Sequence, residues 1–413
     1  MAAEPWHANL SFSDRLDKIV QITAEYKSAH PDAPAAEASK KAKELELDIF
    51  SSSNEILQYQ SQCNAQIRSL QTQPKSRDQP FGFGNGWPEV VEEGTSSGKA
   101  GTKKIGRYGE ARHFQNGLFS EIYKATIPYD NPEGFAGEPG KAVALKVTFL
   151  MGTEPPHDPA REIRTLKKAA HPRIIPLLES FPGPDSTRQL VLVTPFMPYD
   201  LAMILRNGYI AEDHGRTYLR CIFEALAYLH SQGIIHRDVK PGNILMKSLS
   251  GPAYLADFGI VWVPDDPTSE APDEKITDVG TTSYRPPEIL FGNKSYGCSL
   301  DAWAAGCVAA QVITSSMKPL FDSGDMGSDL TLIQSIFKGL GTPTLEMWPE
   351  AEKLPNWGKV QWVEYEPQSW DVLLPKASVE GRDLVSHLVK YQSTERMSAG
   401  AALKQPFFDR EGA

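Results

Sequence analysis

Cysteine is scarce. The 413-residue chain has four, Cys63, Cys221, Cys298 and Cys307. None stands at CxxC spacing from another, which excludes a disulfide framework and a thiolate zinc site. Long hydrophobic runs are missing as well. The longest charge-free apolar run, Ala302 to Ala310, is too short to span a bilayer. The N-terminus, MAAEPWHANL, has no basic stretch leading into an apolar one, so no secretory leader is expected. Basic charge is in deficit: 42 Lys and Arg face 52 Asp and Glu, a net charge of −10. Nucleic-acid binders carry a basic footprint, and anionic membranes recruit basic surfaces. Neither nucleic acid nor membrane is therefore an expected partner. These absences point to a reducing interior, cytoplasmic or nuclear.

What is present is ordinary for a globular protein: 40% hydrophobic and 23% charged residues. A chain this long can bury a core without staples. Residues 1–73 read as a helical N-terminal extension. Leu16, Ile19, Val20, Thr23 and Tyr26 recur at helical spacing, with Ser11 and Asp14 resembling a capping box ahead of them. His30 to Pro34 breaks that helix. A longer helix is expected from about Ala35 to Gln71, carrying Ala42, Leu45, Ile49, Ile56, Tyr59, Cys63, Ile67 and Leu70 on one stripe close to a heptad. That stripe suits either a hairpin buried on itself or a partner-docking surface. Residues 74–104, rich in Gly, Ser, Pro and charge, read as a linker. Its Gly94–Lys99 run, GTSSGK, imitates a phosphate loop. It has one residue too few between the glycines, and Ala100 stands where Ser or Thr should bind magnesium.

From Ile105 the pattern changes to short strand-like runs: Arg112–Phe114, Glu121–Ile127, Val143–Phe149 and Leu190–Phe196, with one helix at about Pro159–Ala170. After Leu201 the pattern is mostly helical. A small β-rich lobe feeding a larger helical lobe is an α+β, bilobal arrangement.

The chemistry-bearing residues lie in that part. His236-Arg237-Asp238-Val239-Lys240-Pro241-Gly242-Asn243 is followed by Asp257-Phe258-Gly259; Val143-Ala144-Leu145-Lys146 lies upstream, then Glu162, and Pro286-Pro287-Glu288 closes the segment that Asp257 opens. This set resembles the eukaryotic protein kinases over residues 105–410, with an N-lobe of about 105–197 and a C-lobe of about 198–410. The resemblance implies ATP and Mg2+ as cofactors and a protein substrate. Phosphoryl transfer asks for charge neutralisation and alignment rather than covalent work. Lys146 is then expected on the α- and β-phosphates, positioned by Glu162. Asp257 and Asn243 are the expected magnesium ligands. Asp238 is expected to orient the substrate hydroxyl and accept its proton, with Thr281 touching Asp238 and Lys240. Lys240 is the choice of Ser/Thr kinases. The resemblance also places Ile122 and Ala144 above the adenine, Leu245 below it, Thr194 as gatekeeper, Pro195 and Met197 on its polar edge and Asp200 at the ribose. The glycine-rich loop departs from the pattern: in Gln115-Asn-Gly117-Leu-Phe-Ser120 only Gly117 survives. Weakened ATP affinity in an active enzyme is the expectation.

Gly280-Thr-Thr-Ser-Tyr-Arg285, Asp301-Ala-Trp303 and Leu340-Gly-Thr-Pro343 resemble the cyclin-dependent-kinase branch (the CMGC group). In that branch Arg396 is expected to pair with Glu288. Three departures bear on regulation. The segment that reads cyclin in the branch is Pro156-His-Asp-Pro-Ala-Arg161-Glu162, so cyclin dependence is doubtful. The activating threonine aligns with Ile276, leaving Thr277 beside it; of the three phosphate-holding arginines only Arg161 and Arg237 remain, the third aligning with Trp262. Finally, Asp265, Asp266, Glu270, Asp273, Glu274 and Asp278 face a single Lys275 within residues 265–278. One of these carboxylates is expected to dock on Arg161 and Arg237 in place of phosphate, the alternative being a solvated acidic loop. Together these features resemble the single-subunit fungal CDK-activating kinases. A monomer that phosphorylates other cyclin-dependent kinases is the specific expectation. A cyclin-bound kinase, or a weakly active pseudokinase scaffold docking partners through its N-terminal helices, stays open beside it.

Overall fold

The structure, a computed structural model, describes residues 12–30, 35–71, 102–117, 119–130, 137–150, 153–183, 188–324 and 327–409. They fall in two compact units. One is built on the N-terminal helices, with the short segment 323–328; the other contains every later element. No helix among the described residues is long and apolar enough to cross a membrane.

The N-terminal unit has three helices: α1 (Phe12–Ala29), α2 (Ala35–Ser52) and α3 (Ile56–Gln71). The single long helix expected over 35–71 is broken at Ser53–Glu55. The reason is local. Ser51 and Ser53 hydroxyls donate back to the carbonyls of Leu47 and Ile49, and the Gln58 side chain accepts the N–H of Asn54. Side-chain bonds of this kind compete with the helix ladder and favour ends. The expected stripe survives the break: Ala42, Tyr59, Cys63 and Leu70 are buried, and the other four members are half-buried. A buried carboxylate, Glu46, joins the three helices by accepting two bonds from Arg15 (2.7 and 2.8 Å) and one from the Tyr59 hydroxyl (2.7 Å). Of the expected capping box, Asp14 falls within α1 while Ser11, like the linker before Thr102, lies outside the described residues.

The second unit opens with a six-stranded antiparallel sheet in the order β1-β2-β3-β4-β6-β5: β1 (Thr102–Ile105), β2 (Tyr108–Asn116), β3 (Ser120–Thr126), β4 (Ala142–Phe149), β5 (Glu179–Pro182) and β6 (Gln189–Pro195). Regular structure therefore begins at Thr102, inside the stretch expected to be linker. The strand alternation of β4 sends Val143, Leu145 and Val147 into the core, which turns Ala144 and Lys146 to the other face. Helix α4 (Pro159–Lys168) starts where Asp158 accepts the N–H of Arg161 (2.9 Å). Pro159 sits at its first position, where a missing N–H costs nothing.

Beyond β7 (Tyr199–Asp200) the chain is mainly helical: α5 (Leu201–Arg206), α6 (Glu212–Ser231), α7 (Pro287–Leu290), α8 (Ser299–Thr314), α9 (Asp329–Leu340), α10 (Trp370–Leu373), α11 (Val379–Leu388) and α12 (Ala399–Ala402). Two short strands, β8 (Ile244–Met246) and β9 (Ala253–Leu255), complete a three-stranded sheet with β7. Helix α8 is buried almost all round, as its unbroken apolar run requires. The Arg396 guanidinium grips Glu288 through two 2.6 Å bonds, both side chains fully buried. The fold is thus α+β with a β-rich and a helical lobe.

Candidate active site

Asp301, on α8, organises the first half of the site. Its buried carboxylate accepts the backbone N–H of His236 (2.8 Å), the backbone N–H of Arg237 (2.9 Å) and a ring nitrogen of His230 (2.9 Å). Burial opposes its charge, but these donors prevail and hold its carboxyl below the ordinary range. The turn it supports takes Arg237 into the left-handed region, φ 71°, and presents the side chain of Asp238. That carboxylate is surrounded. Lys240 Nζ lies 2.8 Å from Oδ2. The Asn243 amide donates to Oδ2 and to the Asp238 carbonyl, both at 2.8 Å. Thr281 gives its N–H and its hydroxyl to Oδ1, each at 3.0 Å, and the Thr281 oxygen accepts from Lys240 at 2.8 Å. Burial again works against Asp238, and Lys240 outweighs it, so the carboxyl stays ionised.

The second half is a cation between two carboxylates. Lys146, on β4, donates to Glu162 of α4 (2.7 and 2.9 Å) and to Asp257 (2.8 Å). Burial would lower the Lys146 pKa; Asp257 and Glu162 overcome that and raise it. The same attraction holds Asp257 well below the usual carboxylate range. Two further contacts fix the geometry. The Asp158 N–H donates to the Gly259 carbonyl (3.0 Å), tying the start of α4 to the Asp257–Gly259 turn. Buried Phe258 packs edge-on against His236, with ring centroids 4.9 Å apart.

The residues expected around an adenine come from both sheets and, for Met197, from the connection between β6 and β7. Ile122 is opposite Lys146 and Ala144 opposite Thr194 in the strand register; Pro195 faces Val143. Asp200 pairs with Leu245 across β7 and β8, and its Oδ1 also caps α5 by accepting the Met203 N–H (2.7 Å). Ile122, Ala144, Thr194, Pro195, Met197, Asp200 and Leu245 are all half-buried. Gly117 lies in the β2–β3 connection, where its N–H donates to the Ser120 carbonyl (2.7 Å).

The segment 262–281 is held by charge. Glu270 accepts from Arg237 at 3.0 and 3.3 Å. Asp266 takes a bidentate grip from Arg164 (2.9 and 2.8 Å). The expectation for Arg161 differs from what is found: its guanidinium bonds the carbonyls of Thr268 (2.8 Å) and Pro156 (2.5 Å), not a carboxylate. Arg164 was not among the expected partners, though it lies three residues from Arg161 and so on the same helix face. Ile276 packs against an apolar cluster containing Trp262 and Tyr296. The Lys275 ammonium lies 4.6 Å from the Trp262 ring centre and 5.3 Å from that of Tyr296.

A general model of the protein kinase domain matches residues 102–408. The chain belongs to the protein kinase family. It is similar to serine/threonine-protein kinase csk1 of Schizosaccharomyces pombe, 36% identical over 69% of this chain and 89% of that one. It is also similar to cyclin-dependent kinase D-1 of Arabidopsis thaliana, 33% identical over 74% of this chain and 72% of that one. Cyclin-dependent kinase 20 of Pongo abelii is 32% identical over 66% and 76%. The kinase is thus a serine/threonine kinase of the cyclin-dependent-kinase-like group.

Kinases of this family use ATP with magnesium, and the oxygens here fit that pairing. Asn243 spends its amide nitrogen on Asp238, which turns its carbonyl oxygen the other way. Asp257 uses only Oδ1 on Lys146 and is 47% exposed. Two protein oxygens without a full cage suit an ion that completes its shell with phosphate and water.

Proposed function

We propose that this kinase transfers the γ-phosphoryl group of ATP to the activation segment of another cyclin-dependent kinase, and that it does so as a monomer without cyclin or a phosphorylated loop. In this reading Lys146 donates to the α- and β-phosphate oxygens, and Glu162 keeps it aimed. Asp257 and Asn243 would hold magnesium, which when bound would offset the charge gathering on the transferred group. Asp238 orients the substrate hydroxyl through Oδ1, where the Thr281 hydroxyl gives up its place to the substrate, and accepts the proton as the new O–P bond forms and the bond to the β-phosphate oxygen breaks, leaving ADP. Lys240 and Thr281 keep Asp238 in place. Ile122, Ala144 and Leu245 enclose the adenine, Thr194 lies behind it, Pro195 and Met197 bond its edge, and Asp200 meets the ribose. Gly117 lets the loop backbone near the phosphates.

The observation that carries the partner-free reading is the Glu270–Arg237 ion pair, because it supplies in cis the negative charge that a phosphate would bring. The Lys146–Glu162 pair and the Arg164–Asp266 bond support it from the side of α4. The choice of substrate rests on the likeness to fungal CDK-activating kinases. Incubation with an unphosphorylated cyclin-dependent kinase, followed by mapping of the modified residue, tests it. Transfer to the activation-segment threonine is expected; transfer elsewhere, or none, rejects the substrate. Two relatives are named as cyclin-dependent. Recovery of this chain with a cyclin at one-to-one stoichiometry, and activity only in that complex, would replace the partner-free reading.

A further inference from the structure

The stretch between β4 and α4 carries a histidine to which none of the roles above gives a task. The backbone of His157 is fixed on both sides. Its own N–H donates to the Glu154 carbonyl (2.9 Å), and that of Asp158 to Gly259 (3.0 Å). Its ring meets Phe119 edge-on, centroids 4.8 Å apart and planes at 69°. Phe119 belongs to the β2–β3 connection, and its carbonyl accepts the N–H of Phe149 (2.8 Å). The charges that reach the imidazole are those of Asp257, Lys146, Asp238 and Arg161, all members of the site or its supports. Burial pushes it below the usual histidine range, and the ring meets the phenyl in the edge-to-face arrangement that aromatic pairs prefer.

The β2–β3 connection has a deficit to make good. Gln115 and Ser120 stand where glycines would let the backbone close on phosphate. Gly117 itself is confined: a Cβ there would lie 2.6 Å from the Ser120 hydroxyl oxygen. We infer that His157 is a positioning residue for the nucleotide. Through its edge-to-face contact it fixes Phe119, and with it the backbone that leads into β3 at Ser120, over the phosphates of ATP. The inference rests on the assignment of the β2–β3 connection to ATP. Neither His157 nor Phe119 touches a reacting atom in it.

The test is steady-state kinetics on the full chain with ATP varied at saturating protein substrate. His157→Ala is expected to raise KM for ATP by roughly 2- to 10-fold, the range of one aromatic pair, with kcat changed by less than about twofold. His157→Phe should restore the wild-type KM, because the contact asks for a ring and not for a proton. Phe119→Ala should match His157→Ala, and the double variant should be no worse than the worse single variant. An unchanged KM in both alanine variants overturns the inference. So does an additive double variant, or an alanine effect that His157→Phe leaves unrepaired. A wild-type protein that transfers phosphate but shows no saturation with ATP would instead overturn the nucleotide assignment itself.

Discussion

The segment His236–Asn243 and the segment 262–281 hold carboxylates against cations by different means. Around Asp238 every partner is placed by the chemistry: Lys240, Asn243 and Thr281 each reach a particular oxygen. Along 262–281 what matters is only that negative charge arrives at Arg237 and Arg164, and Glu270 and Asp266 bring it from loop positions. Reaction geometry tolerates few solutions, whereas clamping a loop tolerates many. The first arrangement is built from the residues that carry the resemblance to protein kinases, and the second from loop positions that the resemblance does not specify.

The largest effect should come from the first region. Asp238→Asn keeps the shape and most hydrogen bonds but removes the base, and is expected to cut kcat by about 10²–10⁴-fold with little change in melting temperature. A loss under tenfold would mean that Asp238 is not the proton acceptor, and the contrast between the two regions would collapse. Next is Glu270→Gln. The Arg237 side chain is fully buried, and its Nε and Nη2 already lack partners among the described residues. Hydrogen bonds to charged groups are worth ~1.5–3 kcal/mol, so a drop of about tenfold or more in activity is expected. Thr277→Ala should leave activity unchanged. The reverse pattern, Thr277 essential and Glu270 dispensable, would assign the clamp to a phosphate.

A smaller effect lies where the two regions meet. Gly280 stands at φ 73°, and a Cβ there would come within 2.5 Å of the Arg237 carbonyl. The conformation turns its own carbonyl to Arg285, which donates at 3.2 and 3.1 Å. A substrate residue that followed the acceptor and lay against this carbonyl would find it already engaged by Arg285 and leave its N–H unmet; proline has no N–H to leave. One unmet donor implies a preference of roughly 2- to 10-fold for proline at that position in a peptide library, short of a requirement. Arg285→Ala should flatten the preference; an equal response to all residues in the wild type would remove the idea. Smaller again is the Arg164–Asp266 pair, which is partly exposed. A double-mutant cycle should return ~0.2–1 kcal/mol of coupling, and zero coupling would leave Glu270 as the sole clamp.

How much of this could be read from the sequence follows the same division. Lys146, Glu162, Asp238, Asn243 and Asp257 were expected in one site because their motifs resemble those of the protein kinases, and Pro159 at the start of α4 follows from proline's missing N–H. The sequence also pointed to acidic docking on the arginines, and Glu270 on Arg237 is such a contact. It did not separate Arg161 from Arg164, because which of two same-face arginines meets the loop depends on where a loop carboxylate lands. Lys275 between two aromatic rings was equally hidden: a cage assembled from positions 262, 275 and 296 has no local pattern. The break at Ser53–Glu55 was legible in principle, since three serines and an asparagine in a row favour helix ends over helix interiors, but the unbroken apolar stripe masked it.

The smallest expected effect is an absence of pH dependence, and it separates a carboxylate clamp from a phosphate one. Arg164's hydrogen bonds hold Asp266 below the usual carboxylate range. Burial would raise Glu270, but Arg237 outweighs it and the net direction is again downward. A group whose folded pKa is depressed stabilises the fold fully above its unfolded value, about 4 for carboxylates. That contribution drains away only as pH falls through the folded value. Between pH 6 and 8 both groups are ionised in the folded and the unfolded chain alike. The difference in melting temperature between wild type and Asp266→Asn/Glu270→Gln should therefore be constant over that range and shrink only at about pH 4 and below. A phosphate, with its second pKa near ~6, changes charge inside the range. A melting difference that varies between pH 6 and 8 would show that something other than these two carboxylates sets the charge on the segment.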